Sequence, residues 1–215
     1  MILFIDNSIH NMPLKILCLH GFRHSADAIN KSMAGLIKKF EKKGVEFVFY
    51  NSPIIYTGDD AKDCDYRQWW SATRENVLTL ENFDTIEESI KNLSVKWESD
   101  NYDGILGFSQ GSVLTQIFAY QIQKDIIKVT PPKFIILASP FPITDNVYKD
   151  YYKDQLCYKI AVMTGSRDTL VDTSTSLSLL KYFKDSTTIT HSGGHYVSSS
   201  GETYNSLQKF LAPFI

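Results

Sequence analysis

The sequence predicts an α/β domain: about six parallel strands in one sheet, with helices on both faces. Three observations predict it. Short β-branched and apolar runs recur along the chain, and several are apolar throughout, as strands covered on both faces are. Stretches with apolar residues at helical spacing separate these runs, which implies right-handed βαβ units. No Pro/Gly-rich linker, internal repeat or low-complexity segment divides the 215 residues, so 1–215 reads as one domain with residues 1–13 as a leading arm. That length buries one sizeable core and is short for two.

The strand runs are Lys15–Leu19, Val45–Tyr50, Gly104–Phe108, Lys133–Ala138, Ile160–Gly165 and Thr187–His191. Between them, Ile29, Met33, Leu36, Ile37 and Phe40 form a helical stripe, as do Ile86, Ile90, Leu93 and Trp97. Val113, Leu114, Ile117, Phe118 and Gln121 form another, and Leu177, Leu180 and Phe183 a shorter one. With the first and third strands as neighbours and the second outside the first, the order is 2-1-3-4-5-6. A crevice then opens between the first and third strands, where the order reverses and open parallel sheets bind ligands.

Composition excludes several function classes. The net charge is −2 with acids and bases interspersed, so no basic face points to nucleic acid. No stretch approaches the ~20 apolar residues of a membrane span. The N-terminal apolar run, Ile2 to Ile5, ends at Asp6 and is too short for a secretory signal. Three cysteines, odd in number and far apart, do not form a disulfide framework. The expected setting is cytoplasmic.

The chemistry centres on Gly107-Phe108-Ser109-Gln110-Gly111, a Gly-x-Ser-x-Gly pattern between an apolar strand and an amphipathic helix. A serine at such a turn has its hydroxyl above the sheet and sits at a helix N-terminus, where negative charge is favoured. Gly107 and Gly111 are needed where neighbouring chains leave no room for a Cβ. An N-cap serine beside a glycine turn would match the same letters; the strand before and the helix after favour a nucleophile. Leu17-Cys18-Leu19-His20-Gly21-Phe22 is a second strand running into a glycine turn. Backbone N–H groups of Phe22 and Gln110 are then the candidate oxyanion donors. An acid and a base should follow the nucleophile at later strand ends. Asp168, just past Gly165, and His195, past Gly193-Gly194, fill that order. Asp172 reads instead as a helix N-cap, and His20 and His191 as structural.

Leu19-His20-Gly21-Phe22-Arg23, Gly104 to Gly111, Gly165-Ser166-Arg167-Asp168 and Gly193-Gly194-His195 together resemble the motifs of the FSH family of serine hydrolases, over roughly residues 14 to 212. Arg67-Gln68-Trp69-Trp70 resembles an Arg-x-Trp element of that family, whereas Ser112 departs from its usual alanine or glycine. The resemblance implies a compact α/β-hydrolase without a large cap domain, acting on small-molecule carboxylic esters or thioesters. Ser109, Asp168 and His195 fall on the family's catalytic positions. No metal or cofactor is expected, since the acids Asp59, Asp60, Asp63 and Asp65 lack histidine partners and a calcium-loop register.

Segments 51–81 and 139–159 break the alternation and are rich in aromatics. Tyr66, Trp69, Trp70, Phe141 and Tyr196 are candidates to line a channel for a medium-chain or hydrophobic acyl group; as a satellite hydrophobic cluster they would look the same in sequence. Arg23 and Arg67 would suit either an acidic substrate group or a structural ion pair. Two other readings stay open here: a pseudo-hydrolase that binds a small ligand in the crevice, and an acyl-protein or lysophospholipid thioesterase of the same fold.

Overall fold

The computed structural model describes residues 12–58, 61, 64–72, 83–143 and 148–215. The apolar runs pair side by side into strands β1 (Leu14–Leu19), β2 (Val45–Tyr50), β5 (Gly104–Phe108), β6 (Phe134–Ala138), β7 (Leu156–Gly165) and β8 (Phe183–His191). All pair parallel, in the order β2-β1-β5-β6-β7-β8. Counted among themselves, these six have the predicted 2-1-3-4-5-6 arrangement. The two-residue strands β3 (Ile54–Ile55) and β4 (Arg67–Gln68) form a separate antiparallel ribbon that was not anticipated.

Period-2 alternation sorts the side chains into two cores. Leu17, Leu19, Ile105, Ile135, Leu137 and Val162 face one, with α2 (Phe83–Glu98) and α3 (Gln110–Gln123). Ile16, Cys18, Leu106, Ile136, Ala161 and Met163 face the other, with α1 (Ala26–Glu41) and α5 (Gly201–Leu211). The chain moves outward from β1 to β2 and then back past β1 to β5. Right-handed crossovers in opposite directions put α1 and α2 on opposite faces, and the loops after β1 and β5 meet at the reversal.

Three expectations need correction. Strands β7 and β8 each begin four residues before the predicted start. In β8 the added segment is Phe183 followed by exposed Lys184, Asp185 and Ser186, tolerated because β8 is an edge strand. The Leu177–Leu180–Phe183 stripe is not one helix. Helix α4 (Thr173–Leu177) stops, a 3₁₀ turn spans Leu180–Tyr182, and Phe183 opens β8. Helix α5 was missed, although Ser200 caps it by accepting from Thr203 N–H and it buries Thr203, Leu207, Phe210 and Leu211 at helical spacing. Of the leading arm, residues 1–11 lie outside the described residues, as do Asp59, Asp60 and Asp63. No described helix is long and apolar enough to cross a membrane.

Candidate active site

Strand β5 ends at Phe108 and helix α3 starts at Gln110, so the whole reversal falls on Ser109. Its backbone has φ 52° and ψ −117°, an unfavourable region for a side chain. The turn is this tight because a Cβ on Gly107 would lie 2.6 Å from Ser112 Cα, and one on Gly111 would lie 2.7 Å from Leu19 O. Neither glycine leaves room for a side chain. Ser112, the departure from the family pattern, donates its hydroxyl to Ser109 O at 2.6 Å and tightens the same turn.

Loops after β7 and β8 bring up the other two residues. Ser109 Oγ lies 2.9 Å from His195 Nε2, and His195 Nδ1 lies 2.7 Å from Asp168 Oδ2. With Asp168 ionised, Nδ1 carries the imidazole proton and Nε2 is left to accept from the serine hydroxyl. The carboxylate is held by every side of its surroundings. Oδ1 accepts from the N–H groups of Leu170 (3.0 Å) and Val171 (2.9 Å), while Oδ2 also accepts from Ser139 Oγ at 2.8 Å. Burial alone would raise the Asp168 pKa, but the Val171 N–H, His195 and the Ser139 hydroxyl together bring it below the ordinary carboxylate value.

The loop after β1 packs directly on this turn: a methyl on Gly21 would be 3.2 Å from Ser109 Cβ. Phe22 follows it, and Gln110 opens α3, where a first-turn N–H has no intrahelical acceptor. The Gln110 side chain has a separate task. Its Oε1 accepts from Trp69 N–H (2.7 Å) and its Nε2 donates to Trp70 O (3.1 Å).

A model of the family described as Serine hydrolase (FSH1) matches residues 10–206. The chain belongs to this family. An esterase of Anopheles gambiae is 30% identical over 202 residues, covering 89% of this chain and 75% of its own. Esterase OVCA2 of Homo sapiens is 26% identical over 225 residues, covering 94% and 97%. Among solved structures, SOBER1 of Arabidopsis thaliana superposes with a TM-score of 0.66 at 15% identity, over 94% of this chain and 98% of its own. At that identity the superposition speaks for the fold, which is the α/β-hydrolase fold.

In this FSH-family hydrolase the other nominated residues have structural duties. His20 is fully buried: Nδ1 donates to Gly21 O (2.7 Å), Nε2 accepts from Ser52 N–H (3.0 Å) and the ring stacks on Trp69. Burial pushes its pKa down to about 4. His191 is buried, and its Nδ1 accepts from Gly193 N–H. Asp172 caps α4 through Thr175 N–H. Arg67 pairs with Asp65 (2.9 Å) and donates to Ser52 O, a brace rather than a substrate contact. Arg23 stacks over Tyr56 and Tyr66.

The cleft over Ser109 has a volume of about 530 Å³ and is lined by Gly21, Phe22, Arg23, His24, Phe108, Leu170 and His195. This overturns most of the proposed channel. Trp69 and Trp70 are fully buried and Phe141 nearly so, all in the core beneath α2 and α3. Their aromatic area was needed to fill that layer. The Tyr66 ring lies under the Arg23 guanidinium and does not line the cleft, and Tyr196 is exposed with its ring against His191. The apolar wall consists of Phe22, Phe108 and Leu170. Sequence reasoning missed Leu170, Phe108 and His24 as lining residues. A leucine left 47% exposed two residues after Asp168 was the available signal, visible only once burial is known. Burial lowers the His24 pKa, and the nearby His195 lowers it further.

Proposed function

We propose that this serine hydrolase cleaves small-molecule carboxylic esters or thioesters through an acyl-enzyme on Ser109, working as one catalytic domain. The observation that carries the reading is the continuous hydrogen-bonded chain from Ser109 Oγ through His195 to Asp168, at 2.9 and 2.7 Å. Ser109 Oγ attacks the carbonyl carbon while its proton passes to His195 Nε2, and Asp168 stabilises the imidazolium. The oxyanion forms against the N–H groups of Phe22 and Gln110; one such donor is worth ~3 kcal/mol. His195 then protonates the departing alkoxide or thiolate. In the second half it deprotonates a water that attacks the acyl-enzyme, and Ser109 recovers its proton.

The acyl group lies along Phe22, Phe108 and Leu170. Apolar contact there favours medium-length chains by about 0.8 kcal/mol per buried methylene, roughly fourfold each. Free cysteines, with Cys18 buried and Cys64 and Cys157 exposed, fit a cytoplasmic setting.

The test is labelling with a fluorophosphonate, located by peptide mass spectrometry, beside rates on p-nitrophenyl ester and acyl-CoA chain-length series. Ser109 should carry the label, and Ser109→Ala should stay folded while losing labelling and hydrolysis. Undiminished hydrolysis in Ser109→Ala defeats the reading. A folded protein that binds esters but neither labels nor hydrolyses them is a ligand-binding relative instead.

A further inference from the structure

We propose that Ser139 is a positioning residue of the hydrolytic site, acting through Asp168; the inference rests on Ser109, Asp168 and His195 working as the triad. Ser139 is the first residue after β6, outside the four motifs named above. Its hydroxyl donates to Asp168 Oδ2 at 2.8 Å, the same oxygen that receives His195 Nδ1.

Three independent features aim that hydroxyl. Ser139 N–H is fixed to Met163 O at 2.8 Å, which ties the residue to β7, the strand that leads directly into the Asp168 loop. Pro140 O accepts from Ser176 Oγ at 2.8 Å, which holds the next residue. Ser139 also has φ 46°, in the left-handed region that glycine occupies freely and side chains avoid. A side chain is thus kept where the backbone favours none, and its one polar atom is spent on Asp168.

The consequence follows from the acceptor count. An ionised carboxylate offers about four acceptor sites. Leu170 N–H and Val171 N–H fill those of Oδ1, while Ser139 and His195 fill those of Oδ2. Without the Ser139 hydroxyl, Oδ2 is held by His195 alone, and the imidazole is aimed less firmly toward Ser109. Ser139 is itself 1% exposed and does not line the cleft, so substrate contact is not involved.

The experiment compares the unaltered protein with Ser139→Ala and Ser139→Gly. It measures kcat and KM for p-nitrophenyl butyrate as a function of pH, each normalised to the fraction of protein that a fluorophosphonate labels. Loss of a hydrogen bond to a charged group should lower kcat roughly ten- to hundredfold in both variants, with KM within about twofold. The acid limb of kcat/KM reports the base of the triad, and it should move to higher pH because a carboxylate with one donor fewer stabilises the His195 imidazolium more strongly. The titratable groups facing Asp168 are His195 and His191, and neither is altered. Ser139→Gly relieves the left-handed side chain, so it should be no less stable than Ser139→Ala while showing the same kcat loss. Unchanged kcat and pH profile in the glycine variant overturn the proposal, as does recovery by glycine of what alanine loses. An unaltered protein that neither labels nor hydrolyses esters defeats the triad reading itself, a result distinct from active variants.

Discussion

His20 makes a pH-dependent contribution to stability that can be worked out from its surroundings. The folded chain holds the imidazole neutral, with Nδ1 donating to Gly21 O and Nε2 accepting from Ser52 N–H, and burial lowers its pKa to about 4. In the unfolded chain the ordinary value is about 6.5. Above that value neither state binds the proton, and stability is complete. As pH falls from about 6.5 to 4, the unfolded chain takes up a proton that the folded chain refuses, so stability is lost progressively and then levels off. A shift of about 2.5 units at 1.36 kcal/mol each amounts to about 3 kcal/mol in full, and about 2 kcal/mol by pH 5. His20→Gln keeps a donor and an acceptor but cannot titrate. Urea unfolding followed by tryptophan fluorescence at neutral pH and at pH 5 should show the unaltered protein losing about 2 kcal/mol more than the variant across that interval. His24 and His191, whose pKa values are also lowered by burial, are present in both proteins and cancel in the difference. Parallel stability–pH curves for the two proteins would refute the reasoning.

Asp168→Asn should fold, since an amide oxygen can still accept from Leu170 and Val171, yet kcat should drop by roughly four powers of ten because His195 is no longer held in the working tautomer; a loss below tenfold in a steady-state assay contradicts this. Leu170→Ala should flatten the rise in kcat/KM from acetyl to hexanoyl esters severalfold while sparing acetyl hydrolysis, as expected for a wall residue. Trp70→Ala should do the reverse, costing about 3–5 kcal/mol in thermal or urea unfolding with little change in chain-length preference, because its ring is core. Equal chain-length profiles for Leu170→Ala and the unaltered protein would remove Leu170 from the acyl site.

Much of the fold and the site geometry was legible from periodicity and punctuation. Apolar runs buried on both faces announced β1, β5 and β6, and glycines marked the turns at Ser109, Asp168 and His195. These signals survive in one dimension because each is a local steric demand: a Cβ at Gly111 meets Leu19 O whatever lies further away. What failed depended on environment. Exposed, polar Lys184 to Ser186 in β8 carry no apolar signal, since an edge strand has water on one side. Trp70 and Phe141 look the same in sequence whether they wall a pocket or fill a core, and only packing against α2 and α3 decides. Ser139 was invisible for a related reason: its importance lies in a partner 29 positions away and a backbone angle that no letter encodes.

The Gln110 side chain fastens the backbone of Trp69 and Trp70, while its own N–H opens the helix that follows Ser109. Recombination between relatives would feel this. A loop spanning residues 51–72 transplanted without its matching residue at 110 would arrive with a buried N–H and a buried carbonyl unsatisfied, each costing ~1–3 kcal/mol. The converse graft, an elbow moved without its loop, would strand a buried amide. The two segments are therefore one heritable part, separated by 40 residues of chain, and a chimaera of this serine hydrolase should keep its crossover points outside the whole span from 51 to 110.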